Sequence, residues 1–297
     1  MAAATTTLID AMKEQIRKYD AVIIGLGKTG LSCVRFLAGQ GISIAVIDSR
    51  NEPPELESLK QHYPDIPLYT GQFNQSLLES AGLLVISPGV SREEPAIKNA
   101  VANGVELVGD IELFARHAKA PVIAITGSNG KSTVASLVNH MINESGLKAD
   151  LGGNIGTSAL SLLEKDSPDF YVLELSSFQL ETVKSLDAIA AVVLNISVDH
   201  MDRYEGIEEY AFAKQNVYAG TGTMIINDDD VRVAAMTLPG RRAIHYSLAS
   251  PKEGAFGTRT MNDMTWLCEG EELLLPIPEL KLKGSHNVSN VLAALAL

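Results

Sequence analysis

Hydrophobic positions fall in short, β-branched runs: AVIIG (21–25), ISIAVID (42–48), LLVISPG (83–89), PVIAITG (121–127), DFYVLELS (169–176), AIAAVVLNIS (188–197) and TMIIND (223–228). Turn-forming residues bound each run, and stretches of helical periodicity separate them. Continuous apolar runs suit strands covered on both faces, so their alternation with helices predicts an α/β protein with mostly parallel sheets. Two runs enter glycine-rich turns that lead into helices, Val22 to Gly30 and Val122 to Ser132. This predicts two nucleotide-type domains in tandem, a Rossmann-like one over 1–109 and a P-loop ATPase-type one over 110–297, with GDIELFARHAKAP (109–121) joining them. At the other end, Val288, Val291, Leu292 and Leu295 of HNVSNVLAALAL follow helical spacing and the chain stops without a cap, so a sequence cut short is expected.

Composition narrows the partners. The formal charge is -12, with 24 Lys and Arg against 36 Asp and Glu, a balance that excludes a nucleic-acid footprint and leaves any polyanion to be met by a local device. Cys33 and Cys268 form no C-x-x-C pair, so neither a zinc site nor a disulfide framework is indicated. Asp10, Lys13 and Glu14 interrupt the N-terminal stretch where a signal peptide needs apolar residues, and no run reaches a membrane span. A soluble, cytoplasmic protein is expected.

The candidate chemistry sits in the two loops. Gly25, Gly27 and Gly30 have G-x-G-x-x-G spacing between a strand and a helix, and Asp48 ends the next strand. Glycines let the backbone approach a diphosphate while the helix N-terminus offers free N–H groups. Asp48 could then accept from a ribose hydroxyl or a base edge; the spacing does not say which nucleotide is held, and NAD is one candidate. The second loop, ITGSNGKST, lacks the glycine that the full P-loop pattern puts six places before the lysine, where Ile125 stands. It keeps small residues from Gly127 to Gly130, Lys131 for outer phosphates and Ser132 to reach Mg²⁺. Glu174 ends one strand, and another leads into Asp199 and His200, both at the strand ends where open α/β sheets place ligands. His62, His117, His140 and His245 read as surface or core residues, Lys214 by default as a solvated helix lysine, and Asp228 to Asp230 as a solvated turn.

GLGKTGLSC, VIDSR, SPGV, ITGSNGKST, LGGNIG, ELSSFQL, LNISVDHMDRY and LKGSHNVSN, in this order, resemble the Mur ligases of bacterial peptidoglycan synthesis over the whole chain, most of all the D-glutamate-adding members. The loop T-G-x-x-G-K-[ST] is that family's usual form. The resemblance implies an ATP-dependent ligase that joins D-glutamate to UDP-N-acetylmuramoyl-L-alanine through an acyl phosphate, acting as a monomer. It implies that Asp48, Ser49 and Arg50 hold uracil, that Lys28 and Thr29 meet the diphosphate, and that Ser87 to Gly89 line the groove. It gives ATP to Gly127, Ser128, Asn129, Gly130, Lys131, Ser132 and Thr133, with Asn287 at the adenine and Asn154 at the muramoyl part. One Mg²⁺ falls to Ser132 and Glu174 and a second to His200, helped by a carbamylated Lys214; Lys131, His200 and Lys214 carry the catalysis. A third, amino-acid-binding domain is expected beyond the last helix, so the chain is expected to bind nucleotides without completing the ligation. A folylpolyglutamate synthase shares the loop but lacks the GLGKTG domain. A nicotinamide-dependent dehydrogenase leaves Glu174 and His200 unexplained, and a non-catalytic nucleotide sensor needs neither.

Overall fold

The computed structural model describes residues 18–297. Nearly all of the stretch that argues against a signal peptide, residues 1–17, lies outside them. The chain divides into two compact units between Leu113 and Phe114.

In the first unit, strands β1 (Tyr19–Ile24), β2 (Ile44–Asp48), β3 (Leu68–Thr70), β4 (Ala81–Ile86) and β5 (Glu106–Gly109) form one parallel sheet in the order β3-β2-β1-β4-β5. Helices α1 (Lys28–Gly39), α2 (Leu56–His62), α3 (Gln75–Glu79) and α4 (Pro95–Ala102) make the crossovers. All of β2 and the last four residues of β1 are buried, as expected of strands covered on both faces. The order reverses between β1 and β4, and there the loops after both strands leave the same sheet edge, the place where doubly wound folds take ligands. Helix α5 (Asp110–His117), within the stretch read as a joining segment, runs across the division between the units.

The second unit holds a nine-stranded sheet ordered β14-β13-β12-β11-β10-β9-β6-β8-β7. Its parallel part comprises β6 (Val122–Thr126), β7 (Ala149–Gly153), β8 (Phe170–Glu174), β9 (Ala190–Val193), β10 (Thr223–Asn227) and β11 (Ala243–Tyr246). A parallel bridge joins β11 to β12 (Phe256–Met261), after which β13 (Met264–Glu269) and β14 (Glu272–Pro276) pair antiparallel. Helices α6 (Lys131–Glu144), α7 (Ala159–Leu162), α8 (Ser177–Leu180), α9 (Ile207–Gln215), α10 (Val231–Ala234) and α11 (Ser285–Ala296) complete it. The apolar spacing read in HNVSNVLAALAL is that of α11, which buries Val288 and Leu292 in a core shared with Val134 and Val138 of α6 and with β6, β8 and β9. Packing of α11 beside α6 brings the LKGSHNVSN segment to the second glycine loop.

Candidate functional site

In the first unit the glycine turn is built for close approach. A Cβ at Gly30 would run into the Gly25 carbonyl oxygen, so only glycine lets α1 start this close to β1. Ser87, 8% exposed at the end of β4, donates its hydroxyl to that same carbonyl at 2.7 Å and fixes the turn from across the switch point. Lys28 and Ser49 are exposed, Thr29 is half-buried and Gly89 is exposed, all on these loops.

Asp48 is already engaged within the protein at this corner. It is 2% exposed, and its Oδ2 accepts from the Leu26 amide at 2.7 Å and from Arg50 Nη2 at 2.6 Å, while Oδ1 accepts from the Arg50 amide at 2.9 Å and Arg50 Nε at 2.8 Å. Burial works to raise its pKa, yet these hydrogen bonds and the guanidinium charge outweigh burial and hold it below the ordinary carboxylate value. Asp48 thus ties the glycine loop to the end of β2 and aims Arg50, whose side chain is 52% exposed and is the group presented to solvent at this corner.

In the second unit β6 runs into Gly127-Ser128-Asn129-Gly130 and then α6. Gly130 has φ of +85°, and a Cβ there would press on the carboxamide of Asn290. Asn290, 8% exposed on α11, is a loop neighbour that the sequence reading missed. The signal was present, one helical turn after Asn287: Asn290 Nδ2 donates to Asn287 Oδ1 at 3.4 Å, and Asn287 Nδ2 donates to the Lys283 carbonyl at 2.8 Å. Lys131 Nζ folds back onto the Gly127 and Ser128 carbonyls at 2.9 and 3.0 Å. The first α6 bond joins the Val134 amide to the Gly130 carbonyl, so the N–H groups of Lys131, Ser132 and Thr133 precede the ladder and point out of the helix end.

Facing that end is Glu174, 2% exposed, the last residue of β8 and the sheet neighbour of Ile125. Its Oε2 accepts from Ser132 Oγ at 2.7 Å and its Oε1 from the Asn154 carboxamide at 2.9 Å. Asn154 also gives its backbone amide to the Glu174 carbonyl at 2.7 Å, so the loop after β7 braces the carboxylate.

Lys214 overturns its default reading as a solvated helix lysine. It is 2% exposed, on the inward face of α9, with Nζ 4.7 Å from the centroid of the Tyr210 ring and donating to Thr126 Oγ1 at 3.3 Å. Burial, aided by the Lys131 charge and only partly opposed by Asp199 and Glu174, pushes the ammonium down to about 7. A short α9 with apolar residues on more than one side gave no stripe from which this inward face could be read.

His200 sits in a turn with φ of +55°, a left-handed conformation that costs a non-glycine residue about 1 kcal/mol or more. Its amide donates to Asp199 Oδ1 at 2.9 Å, and its ring lies 4.8 Å from the Phe178 centroid and 6.2 Å from that of Tyr210. Arg203 and Tyr204, which close the turn by donating their amides to the His200 carbonyl, both bond Glu181 through their side chains, at 3.0 and 2.8 Å. By contrast the Asp228 to Asp230 carboxylates serve their own scaffold: Asp228 pairs with His245 at 2.8 Å, Asp229 accepts from the Leu248 amide, and Asp230 caps α10 and accepts from the Ile196 amide.

One Rossmann-type glycine turn and one P-loop-type loop, the second with a buried carboxylate opposite its serine and a buried amine close by, define an α/β protein of the nucleotide-binding type of fold. Residues 19–109 match the family described as Mur ligase MurD-like, N-terminal domain, and residues 125–297 match the Mur ligase middle domain. The chain belongs to the Mur ligase family. It is 55% identical to a UDP-N-acetylmuramoylalanine--D-glutamate ligase of Nitrosococcus oceani over 93% of this chain and 61% of the relative. A protein of the same name from Marinobacter nauticus is 52% identical over 93% of this chain and 62% of its own length. The chain therefore spans about three fifths of the length of these curated relatives. Among solved structures, UDP-N-acetylmuramate:L-alanyl-gamma-D-glutamyl-meso-diaminopimelate ligase from Neisseria meningitides superposes with a TM-score of 0.61 at 18% identity, covering 94% of this chain and 92% of that one. UDP-N-acetylmuramate-alanine ligase from Thermotoga maritima gives 0.55 at 18% identity, over 94% and 64%. At such identities these two establish the shared fold.

Proposed function

We propose that this chain carries the UDP-sugar-binding and ATP-binding parts of a ligase that joins D-glutamate to UDP-N-acetylmuramoyl-L-alanine. The observation that carries the reading is the pairing of Ser132, at the head of a Lys131-bearing helix, with the buried Glu174 in a Mur ligase middle domain. In the first unit Asp48, Ser49 and Arg50 meet the uracil end, with Arg50 held on Asp48 through Nε and Nη2 and its exposed guanidinium edge turned to the ligand, and Lys28 and Thr29 flank the diphosphate at the start of α1. In the second unit the amides of Lys131 to Thr133 and the Lys131 ammonium hold the outer phosphates, the ammonium exchanging the two loop carbonyls for phosphate oxygens.

The residues suit a magnesium ion. Among the described residues no three His, Cys, Asp or Glu side chains converge. Ser132 and Glu174 offer instead the sparse oxygen set that Mg²⁺ takes when phosphate and water complete its shell. Bound there, Mg²⁺ supplies charge compensation for the transferring phosphoryl group. His200 is assigned to a second such ion. The buried amine of Lys214, its pKa lowered to about 7, is neutral in a substantial fraction of molecules, and its lone pair attacks CO₂, releasing one proton and leaving a carbamate, an anion that suits the same neighbourhood.

The reaction proceeds by attack of the L-alanyl carboxylate on the γ-phosphorus of ATP. The bond to ADP breaks and an acyl phosphate forms. The D-glutamate amine then attacks the acyl carbon, phosphate leaves and the amine sheds a proton. This chain's groups hold the triphosphate and offset its charge while two anions approach, which is most of what phosphoryl transfer asks of a protein.

No helix among the described residues is long and apolar enough to cross a membrane. A monomer working in the cytoplasm, with neither nucleic acid nor membrane as partner, completes the reading. Thermal-shift titration with UDP-N-acetylmuramoyl-L-alanine, UDP, NAD and Mg-ATP tests it. A ligand at 100 times its Kd stabilises by about 2.7 kcal/mol. The UDP-sugar and Mg-ATP should each raise the melting temperature and their effects should add; a larger shift from NAD than from the UDP-sugar overturns the proposal.

A further inference from the structure

The segment after β9 lies along the glycine loop of the second unit. The Ser128 amide donates to the Asn195 carbonyl at 2.9 Å. The Asn129 amide donates to Asn195 Oδ1 at 2.9 Å, and Asn195 Nδ2 donates back to the Asn129 carbonyl at 3.0 Å. Two residues further on, the Ser197 amide donates to Ser128 Oγ at 3.0 Å, and Asn129 Nδ2 donates to Ser197 Oγ at 3.3 Å. The two N–H groups in the middle of the loop are thus directed away from any phosphate at the α6 end, toward Asn195. A side-chain amide closing a two-way pair with another residue's backbone mimics a strand pairing and fixes both position and rotation of that peptide.

From this geometry we infer that Asn195 is a positioning residue for the nucleotide loop: its carboxamide and carbonyl hold Ser128 and Asn129 in place, so that the amides of Lys131 to Thr133 and the Lys131 ammonium face the phosphates. The inference rests on the ATP-binding reading above and gives that site its placement. It also makes the loop and the turn bearing His200, five residues after Asn195, parts of one hydrogen-bonded body. Asn195 is half-buried at a strand end, where sequence alone offers nothing to distinguish it from an ordinary turn residue.

Two variants of the 297-residue chain test the assignment, Asn195→Ala and Asn195→Asp, the second keeping an acceptor for the Asn129 amide while losing the donor to its carbonyl. Amide hydrogen exchange followed by NMR reads the positioning without any nucleotide. In Asn195→Ala the Asn129 amide should exchange about tenfold faster or more, while Ile123 and Val134 stay as protected as in the parent; Asn195→Asp should fall between. Mg-ATP affinity, by titration calorimetry, should drop about tenfold in Asn195→Ala with UDP-sugar affinity unchanged, and the retained protection of Ile123 and Val134 shows that the second unit of the variant is folded. Unchanged exchange at Asn129, or faster exchange with undiminished Mg-ATP affinity, overturns the inference. Should the parent chain itself fail to bind Mg-ATP, the ATP-binding reading falls, and the exchange comparison still decides whether Asn195 fixes the loop.

Discussion

Ser132 Oγ lies 2.7 Å from Glu174 Oε2, joining the first turn of a helix to the end of a strand 42 residues later. Neither residue has a conspicuous partner in the sequence. The parallel pairing of β6 with β8, which sets Ile125 beside Glu174, creates the contact.

Glu174→Gln should bind ATP with much reduced dependence on Mg²⁺. The neutral amide preserves the volume and can still meet Ser132 and Asn154, so the fold is kept while the anionic oxygen that a hard cation needs is lost. Titration calorimetry with ATP, with and without Mg²⁺, checks it; an unchanged magnesium effect removes Glu174 from the metal site.

Lys131→Ala should abolish Mg-ATP binding and leave UDP-sugar binding intact, because the two phosphate loops belong to separate units. Arg50→Ala should do the opposite, weakening the UDP-sugar by about 1 to 3 kcal/mol through loss of a charge-assisted contact. Equal loss of both ligands in either variant contradicts the two-site reading.

Asp48 gives a pH dependence whose sign follows from its lowered pKa. Its ionised form is favoured in the folded chain, so its stabilisation is complete above the ordinary aspartate range and is lost as pH falls through the depressed folded value. Asp48→Ala should lower stability at pH 7 by about 1 to 3 kcal/mol, because the Leu26 amide and Arg50 lose their acceptor. It should also flatten the acid side of the stability curve. Urea melts from pH 7 to pH 3 measure both.

Lys214 works in the other direction. With its folded pKa near 7 and an unfolded value of 10.5, the unfolded chain holds the extra proton between those limits, so stability from this group rises as pH climbs from about 7 toward 10.5, by at most about 1.4 kcal/mol per unit. Lys214→Met should remove that rise, read from melts in CO₂-free buffer. In ¹³C-bicarbonate the parent chain should acquire a carbamate resonance that Lys214→Met lacks.

The periodicity of the chain determined the α/β class, the alternation of buried strands with helices and both glycine loops, since these depend on local propensity and on a strand's need to be apolar when covered on two faces. It did not disclose β3, β5, β7, β11 or the β12–β14 hairpins, which are short or carry alternating exposed residues such as Thr260 and Glu272. Family motifs pointed to Lys131, Glu174, His200 and Lys214, but what each touches is a tertiary matter. Asp48 read as a lone strand-end acid, and the fold surrounds it with Leu26 and Arg50. Lys214 looked solvated until α9 was laid against Thr126 and Tyr210. Asn195 carried no signal because its meaning lies in which distant backbone it faces. Sequence sets what a residue can donate, accept or bury; only the packing of strands and helices chooses its partner, because hydrogen bonds and desolvation act over a few ångströms between residues that the chain keeps tens of positions apart.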